Sequence, residues 1–163
     1  MLVSSVVVSD AGPLISLGRL DLIGLLNALY AEVLVPGVVI KECMARPGNV
    51  DTLRIRQALN QGLLTPCPTP LQTLAGLDPG ESAAITHANA IGAGVLLDER
   101  AGRLRAQAMG LRVTGTLGVL VRARQHGLIG PLAPLFSALR GSGQRLSQAV
   151  VQRALAAVGE VAE

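Results

Sequence analysis

Tryptophan is absent, and tyrosine and phenylalanine occur once each, so the chain has no aromatic platform on which nucleic-acid bases could stack. Its two histidines, His87 and His126, are too few and too far apart for the familiar kinds of zinc site. His126 precedes Gly127 at a helix end, where it serves the C-terminal dipole, and His87 reads as a helix-surface or partly buried residue. The two cysteines, Cys43 and Cys67, lack the Cys-x-x-Cys spacing, and with no secretory context a disulfide framework is not expected. Cytoplasm is the expected compartment. Charged residues are scarce at 15%, against 50% hydrophobic, which predicts that a partner or a second copy covers part of the surface.

Long apolar runs are also missing. The most apolar stretch, residues 20–40, is interrupted by Asp21, Asn27, Glu32 and Pro36, so no membrane span is expected. The opening run has no basic residue ahead of it and meets Asp10 where a cleavage site would belong, so it does not read as a signal peptide. Lys41 is the only lysine and falls on a helix, whereas a phosphoacceptor receiver domain wants a lysine at a late strand end. Gly-x-x-x-x-Gly-Lys-Ser/Thr, Gly-x-Gly-x-x-Gly after the first strand and Gly-x-Ser-x-Gly are all absent, which argues against nucleotide-binding and α/β-hydrolase chemistry.

What is present is a segregation of charge. Residues 1–99 hold nine acids and five bases, while residues 100–163 hold two acids and nine arginines. Arginines taken singly solvate helix surfaces. Together, an acidic half able to hold metal and a basic half able to hold phosphate suit a phosphodiester substrate.

Short β-type runs alternate with helical patterns, the signature of an α/β domain with a mostly parallel sheet. Strands are expected over 3–9, 32–35, 95–97 and 111–114, with a weaker one near Leu64. Helices are expected over 13–17, 20–29, 37–45, 50–61, 81–91, 99–109 and 117–126. Residues 66–70, Pro-Cys-Pro-Thr-Pro, read as a surface connection, because proline supports neither a helix interior nor a central strand. A core over 1–130 is followed by a helical extension over 131–163, with helices at 131–140 and 147–158 around Gly141-Ser142-Gly143.

Two aspartates close two of these strands. Asp10 ends the run containing Val6-Val7-Val8-Ser9, and Asp98 ends Val95-Leu96-Leu97. Carboxyl ends of parallel strands are where open α/β sheets bind ligands, so the pair is a candidate metal site. Both also fit helix caps, and a carboxylate has enough lone pairs to cap and ligate at once. Glu42 shares a helix face with Val38 and Val39, and Glu81 shares one with Ala84, Ile85 and Ala88, so both are expected to point inward. Asp78-Pro79-Gly80-Glu81 also reads as a capping box. Glu99 is a fifth acid, placed to reach the same pocket or to complement the following helix dipole. Carboxylates on apolar faces need compensation, by arginine or by a hard divalent cation such as Mg²⁺.

Taken in order, Val7-Val8-Ser9-Asp10-Ala11-Gly12-Pro13-Leu14-Ile15, Val35-Pro36 followed by Glu42, Gly80-Glu81-Ser82-Ala83-Ala84-Ile85, and Leu96-Leu97-Asp98-Glu99-Arg100 resemble the PIN-domain family. Gly110-Leu111-Arg112-Val113-Thr114-Gly115-Thr116-Leu117 continues the resemblance, which covers residues 5–155. The closest look is to a prokaryotic branch similar to VapC-type toxins. The resemblance implies a three-layer α/β/α fold with a central, mostly parallel sheet, and cleavage of RNA with Mg²⁺ or Mn²⁺.

Position by position, the resemblance makes Asp10, Glu42, Glu81 and Asp98 the four family acids, with Glu81 where many relatives carry Asp. Asp10, Glu42 and Asp98 would hold the metal, with Glu81 as a further ligand or a base behind them. Water would attack phosphorus in line, leaving a 5′-phosphate and a 3′-hydroxyl. Arg100 and Arg103 are the expected phosphate contacts, and Thr116 matches a family hydroxyl position. Gly12 departs from the family by standing where many members carry Ser or Thr. The resemblance further implies a homodimer and a small inhibitory antitoxin. The competing expectation is a PIN-like binding or regulatory module with little turnover.

Overall fold

A computed structural model describes residues 5–161. Five parallel strands form one sheet: β1 (Val6–Ser9), β2 (Glu32–Pro36), β3 (Thr65–Cys67), β4 (Gly94–Leu96) and β5 (Val113–Thr114), in the order β3-β2-β1-β4-β5. The chain crosses from β1 to β2 on one side, and β4 joins β1 on the other, so the crevice beyond the carboxyl ends of β1 and β4 is a topological switch point. Ser9 pairs with Leu96 at that end, and the Asp10 N–H donates to the Leu96 carbonyl at 3.1 Å. The central strands are short and rich in valine, as strands buried on both faces are.

Helices flank the sheet: α1 (Ala11–Arg19), α2 (Gly24–Leu29), α3 (Gly37–Cys43), α4 (Val50–Asn60), α5 (Pro79–Ile91) and α6 (Arg100–Ala108). Ala84, Ile85 and Ala88 of α5 pack with Val8, Val95, Leu97 and Ala106 in a fully apolar cluster. The alternation of strand side chains puts Val8, Val95 and Leu97 on this face together. The α/β architecture with a parallel sheet is the one expected.

Several expected boundaries move for identifiable reasons. Of the strand expected over 3–9, residues 3 and 4 lie outside the described residues. The helix expected over 20–29 begins only at Gly24, because Asp21 adopts φ 57° and breaks the chain away from α1. Arg54 of α4 holds that break, donating through Nη1 to the carbonyls of Gly18 (2.8 Å) and Arg19 (3.2 Å) and pairing with Asp21 (3.5 Å). Pro66 and Cys67 belong to β3 rather than to a connection; β3 is an edge strand, where a missing N–H costs no ladder bond.

The compact units are Met1–Thr116 and Leu117–Glu163, divided inside α7 (Thr116–Gln125), whereas the sequence reading sets its boundary after residue 130. The second unit continues with α8 (Ala133–Gly141) and α9 (Gln148–Ala157), burying Phe136, Leu139, Val151 and Leu155. Glu160 accepts from the N–H groups of Leu132 and Ala133 and so caps α8. Among the described residues no helix is long and apolar enough to cross a membrane.

Candidate functional site

Asp10 follows β1 directly, at the N-cap position of α1, yet its side chain makes no cap bond. It is 7% exposed, and its Oδ1 has no hydrogen-bond partner. Burial pushes its carboxyl up to about 7; the charges of Asp78, Glu42 and Glu81 add to the rise, and the Ala11 N–H opposes it. A β-carbon built on Gly80 would stand 2.8 Å from Asp10 Oδ1 and 3.0 Å from Glu42 Oε2, so both oxygens reach into space left by the missing side chain.

Asp98, beyond the end of β4, is in a different situation. Its Oδ1 accepts from the Thr116 backbone N–H and its Oδ2 from the Thr116 hydroxyl, both at 2.7 Å. It does not cap α6, whose N-cap is Glu99. Gly12 also lies against Asp98, its built β-carbon 3.4 Å from Oδ2, in ordinary contact.

Asp10, Glu42, Asp78, Glu81, Asp98 and Glu99 line one pocket of about 290 Å³, along with Gly12 and no basic residue. Glu42 is carried by α3, whose second residue, Val38, donates its N–H to the Thr69 hydroxyl (2.9 Å). Contrary to the inward lean expected, Glu42 is exposed as a residue; α3 is only seven residues long and brings just the end of the side chain to the pocket. Burial and Asp78 raise its pKa. Glu81 is 4% exposed, and its carboxylate carbon lies against the backbone of Gly102 in α6. It completes the capping box with Asp78, donating its N–H to Asp78 Oδ1 (2.8 Å) and accepting the Asp78 N–H at Oε2 (3.3 Å). Burial, then Asp78, raises its pKa.

Asp78 is the pocket residue that sequence reading passed over. Its signal was visible but read only as a cap, and the cap itself faces the other acids. Arg100 is exposed and does not line the pocket. Arg103 is half-buried and donates through Nη1 to the Leu97 carbonyl at 2.9 Å.

Among the described residues, no three His, Cys, Asp or Glu side chains converge closely enough to enclose an ion as they stand. The donor chemistry nevertheless fits a hard divalent cation. The polar side chains that line it are all carboxylates, one carboxylate oxygen is buried without a partner, and no basic residue lines the pocket to neutralise the charge. A larger concavity of about 1000 Å³ in the second unit, beside Phe136 and Arg140, has a single acid, Glu160, already committed to α8.

A family model described as a PIN domain matches residues 6–160. No curated protein matches the chain. Among solved structures, a PilT N-terminus domain protein from the archaeon Sulfolobus solfataricus is similar at 17% identity and a TM-score of 0.56, over 72% of this chain and 92% of that one. A domain of a functionally unknown protein from Methanocaldococcus jannaschii aligns at 14% identity and a TM-score of 0.48, over 69% and 91%.

Proposed function

The chain belongs to the PIN-domain family, and from that premise we propose that its carboxylate pocket is the active site of a metal-dependent endoribonuclease. PIN domains are generally nucleases and typically use divalent metal ions. The observation that carries the reading is the unpartnered Oδ1 of buried Asp10, held with five other carboxylates beyond the central strands. Such a group is costly without a cation.

Asp10, Glu42 and Asp98 are the residues that would hold Mg²⁺ or Mn²⁺, with Glu81 and Glu99 beside them. When bound, such a cation acidifies water and offsets charge on a phosphoryl oxygen. The chain's own contribution is orientation. Thr116 holds both oxygens of Asp98, and Gly80 leaves room for Asp10 and Glu42 to face one another. The Asp78 N–H holds Oε2 of Glu81. Arg100, exposed at the start of α6, is the phosphate contact this reading favours.

RNA as substrate, a homodimer and a small antitoxin are the partners this reading carries; the apolar composition supports the protein contacts. The test is cleavage of a labelled RNA oligonucleotide in Mn²⁺. Asp10→Asn is expected to lose about 10²- to 10³-fold in rate, and an unchanged rate would overturn the assignment. A binding module with little turnover is the second reading, favoured by the absence of three converging carboxylates among the described residues. Mn²⁺ titration separates the two, because the module would neither bind the ion nor cleave.

A further inference from the structure

Leu97 is fully buried, and its backbone sits where the β4–β5 ladder runs out. Its N–H still finds a ladder partner, the Thr114 carbonyl at 3.0 Å. Its carbonyl has none on the sheet, because the chain turns at Gly115 into Thr116, where α7 begins. A buried carbonyl left there would be unsatisfied. Arg103, reaching back from α6, supplies the donor through Nη1 at 2.9 Å.

Gly115 makes this contact possible. A β-carbon built there would stand 2.7 Å from Arg103 Nη1, 3.1 Å from Asp98 Oδ1 and 3.3 Å from the Leu97 carbonyl oxygen. Its φ is not in the left-handed region, so the glycine is needed for space and not for backbone freedom. The next residue, Thr116, is the one that grips both oxygens of Asp98. Arg103, Gly115 and Thr116 therefore meet around Leu97 and Asp98, the two residues that follow β4.

We propose that Arg103 is a positioning residue: it fixes Asp98 by holding the carbonyl immediately before it, in a slot kept open by Gly115, and it is not a contact for substrate phosphate. The cation readout below rests on the proposed function, whereas the stability readout does not.

The test uses the full chain and the variants Arg103→Ala, Arg103→Lys, Gly115→Ala and the double Arg103→Ala/Gly115→Ala. Mn²⁺ affinity is measured by calorimetry well below each melting temperature. Affinity for a labelled RNA oligonucleotide is measured in chelator, so that no cation bridges the two. Arg103→Ala is expected to weaken Mn²⁺ binding about tenfold and leave RNA affinity within twofold. Arg103→Lys, which keeps one donor for the Leu97 carbonyl, is expected to restore part of the Mn²⁺ affinity. Gly115→Ala displaces the flexible guanidinium and is expected to mimic Arg103→Ala, with the double variant less than additive.

Loss of RNA affinity in Arg103→Ala with unchanged Mn²⁺ affinity would overturn the proposal in favour of a phosphate contact. If the wild-type chain binds no Mn²⁺, the proposed function fails, and thermal unfolding then decides the clasp. Coupling between the Arg103 and Gly115 substitutions supports it, and strict additivity overturns it.

Discussion

The two aspartates follow adjacent central strands, β1 and β4, and line the same pocket, yet they are held in opposite ways. Asp98 has a partner for each oxygen, both supplied by Thr116. Asp10 is more deeply buried, keeps one oxygen without a partner and carries a pKa raised to about 7. One half of the site is thus complete within the chain, while the other is destabilising until something positive arrives. The pocket thus pairs a carboxylate fixed by hydrogen bonds with one that is not.

The largest way to break the contrast is pH. The folded-state pKa of Asp10 lies above its ordinary 3.8, so between those values the folded chain keeps a proton that the unfolded chain has released. Its contribution is fully present below about pH 4 and is lost as pH rises through 7, a loss of about 4 kcal/mol in divalent-free buffer. Glu42 and Glu81 shift in the same direction. Chemical denaturation across pH 4–8 measures the slope, and Asp10→Asn is expected to flatten it. A wild-type profile that rises over this range would contradict the unpartnered state of Asp10.

The complete half should respond to Thr116→Val, which deletes the hydroxyl bond to Asp98 Oδ2 and leaves the N–H bond in place. Losing a hydrogen bond to a charged group costs about 1.5–3 kcal/mol, read as a lower denaturant midpoint at pH 7. Gly80→Ala should act on the other half. Its methyl would press on two carboxylate ends rather than on backbone, so a fall of about tenfold in Mn²⁺ affinity, about 1.4 kcal/mol, is expected with little change in fold stability. The smallest effect belongs to Gly12→Ser. The built β-carbon meets Asp98 only in ordinary contact, so stability should stay within about 0.5 kcal/mol. A large loss there would show that the Asp98 side is less settled than its hydrogen bonds indicate.

Much of this contrast could not be read from the chain alone. The strand ends were legible, because buried parallel strands leave continuous apolar runs and Asp10 and Asp98 stop them. Glu81 was legible through its helix face, with Ala84, Ile85 and Ala88 packed as expected. Glu42 was legible only in part, since face periodicity says little about a helix of two turns. Asp78 was hidden by its own capping box, a local pattern that accounts for the residue without reference to the pocket. The bond from Arg103 to Leu97 depends on where β5 ends, and a two-residue strand leaves almost no periodic signal. The late start of α2 likewise turns on one left-handed residue, Asp21, held by an arginine distant in sequence.

Glycines set against carboxylates change how this protein can be lost by mutation. Gly80 and Gly115 carry no chemistry, yet any side chain at either position intrudes on the atoms that define the pocket. A genetic selection for inactive alleles should therefore recover these two glycines alongside the acids. In such a collection they would be recognised as full-length chains disturbed at one side of the pocket each: Asp10 and Glu42 for Gly80, and Asp98 for Gly115.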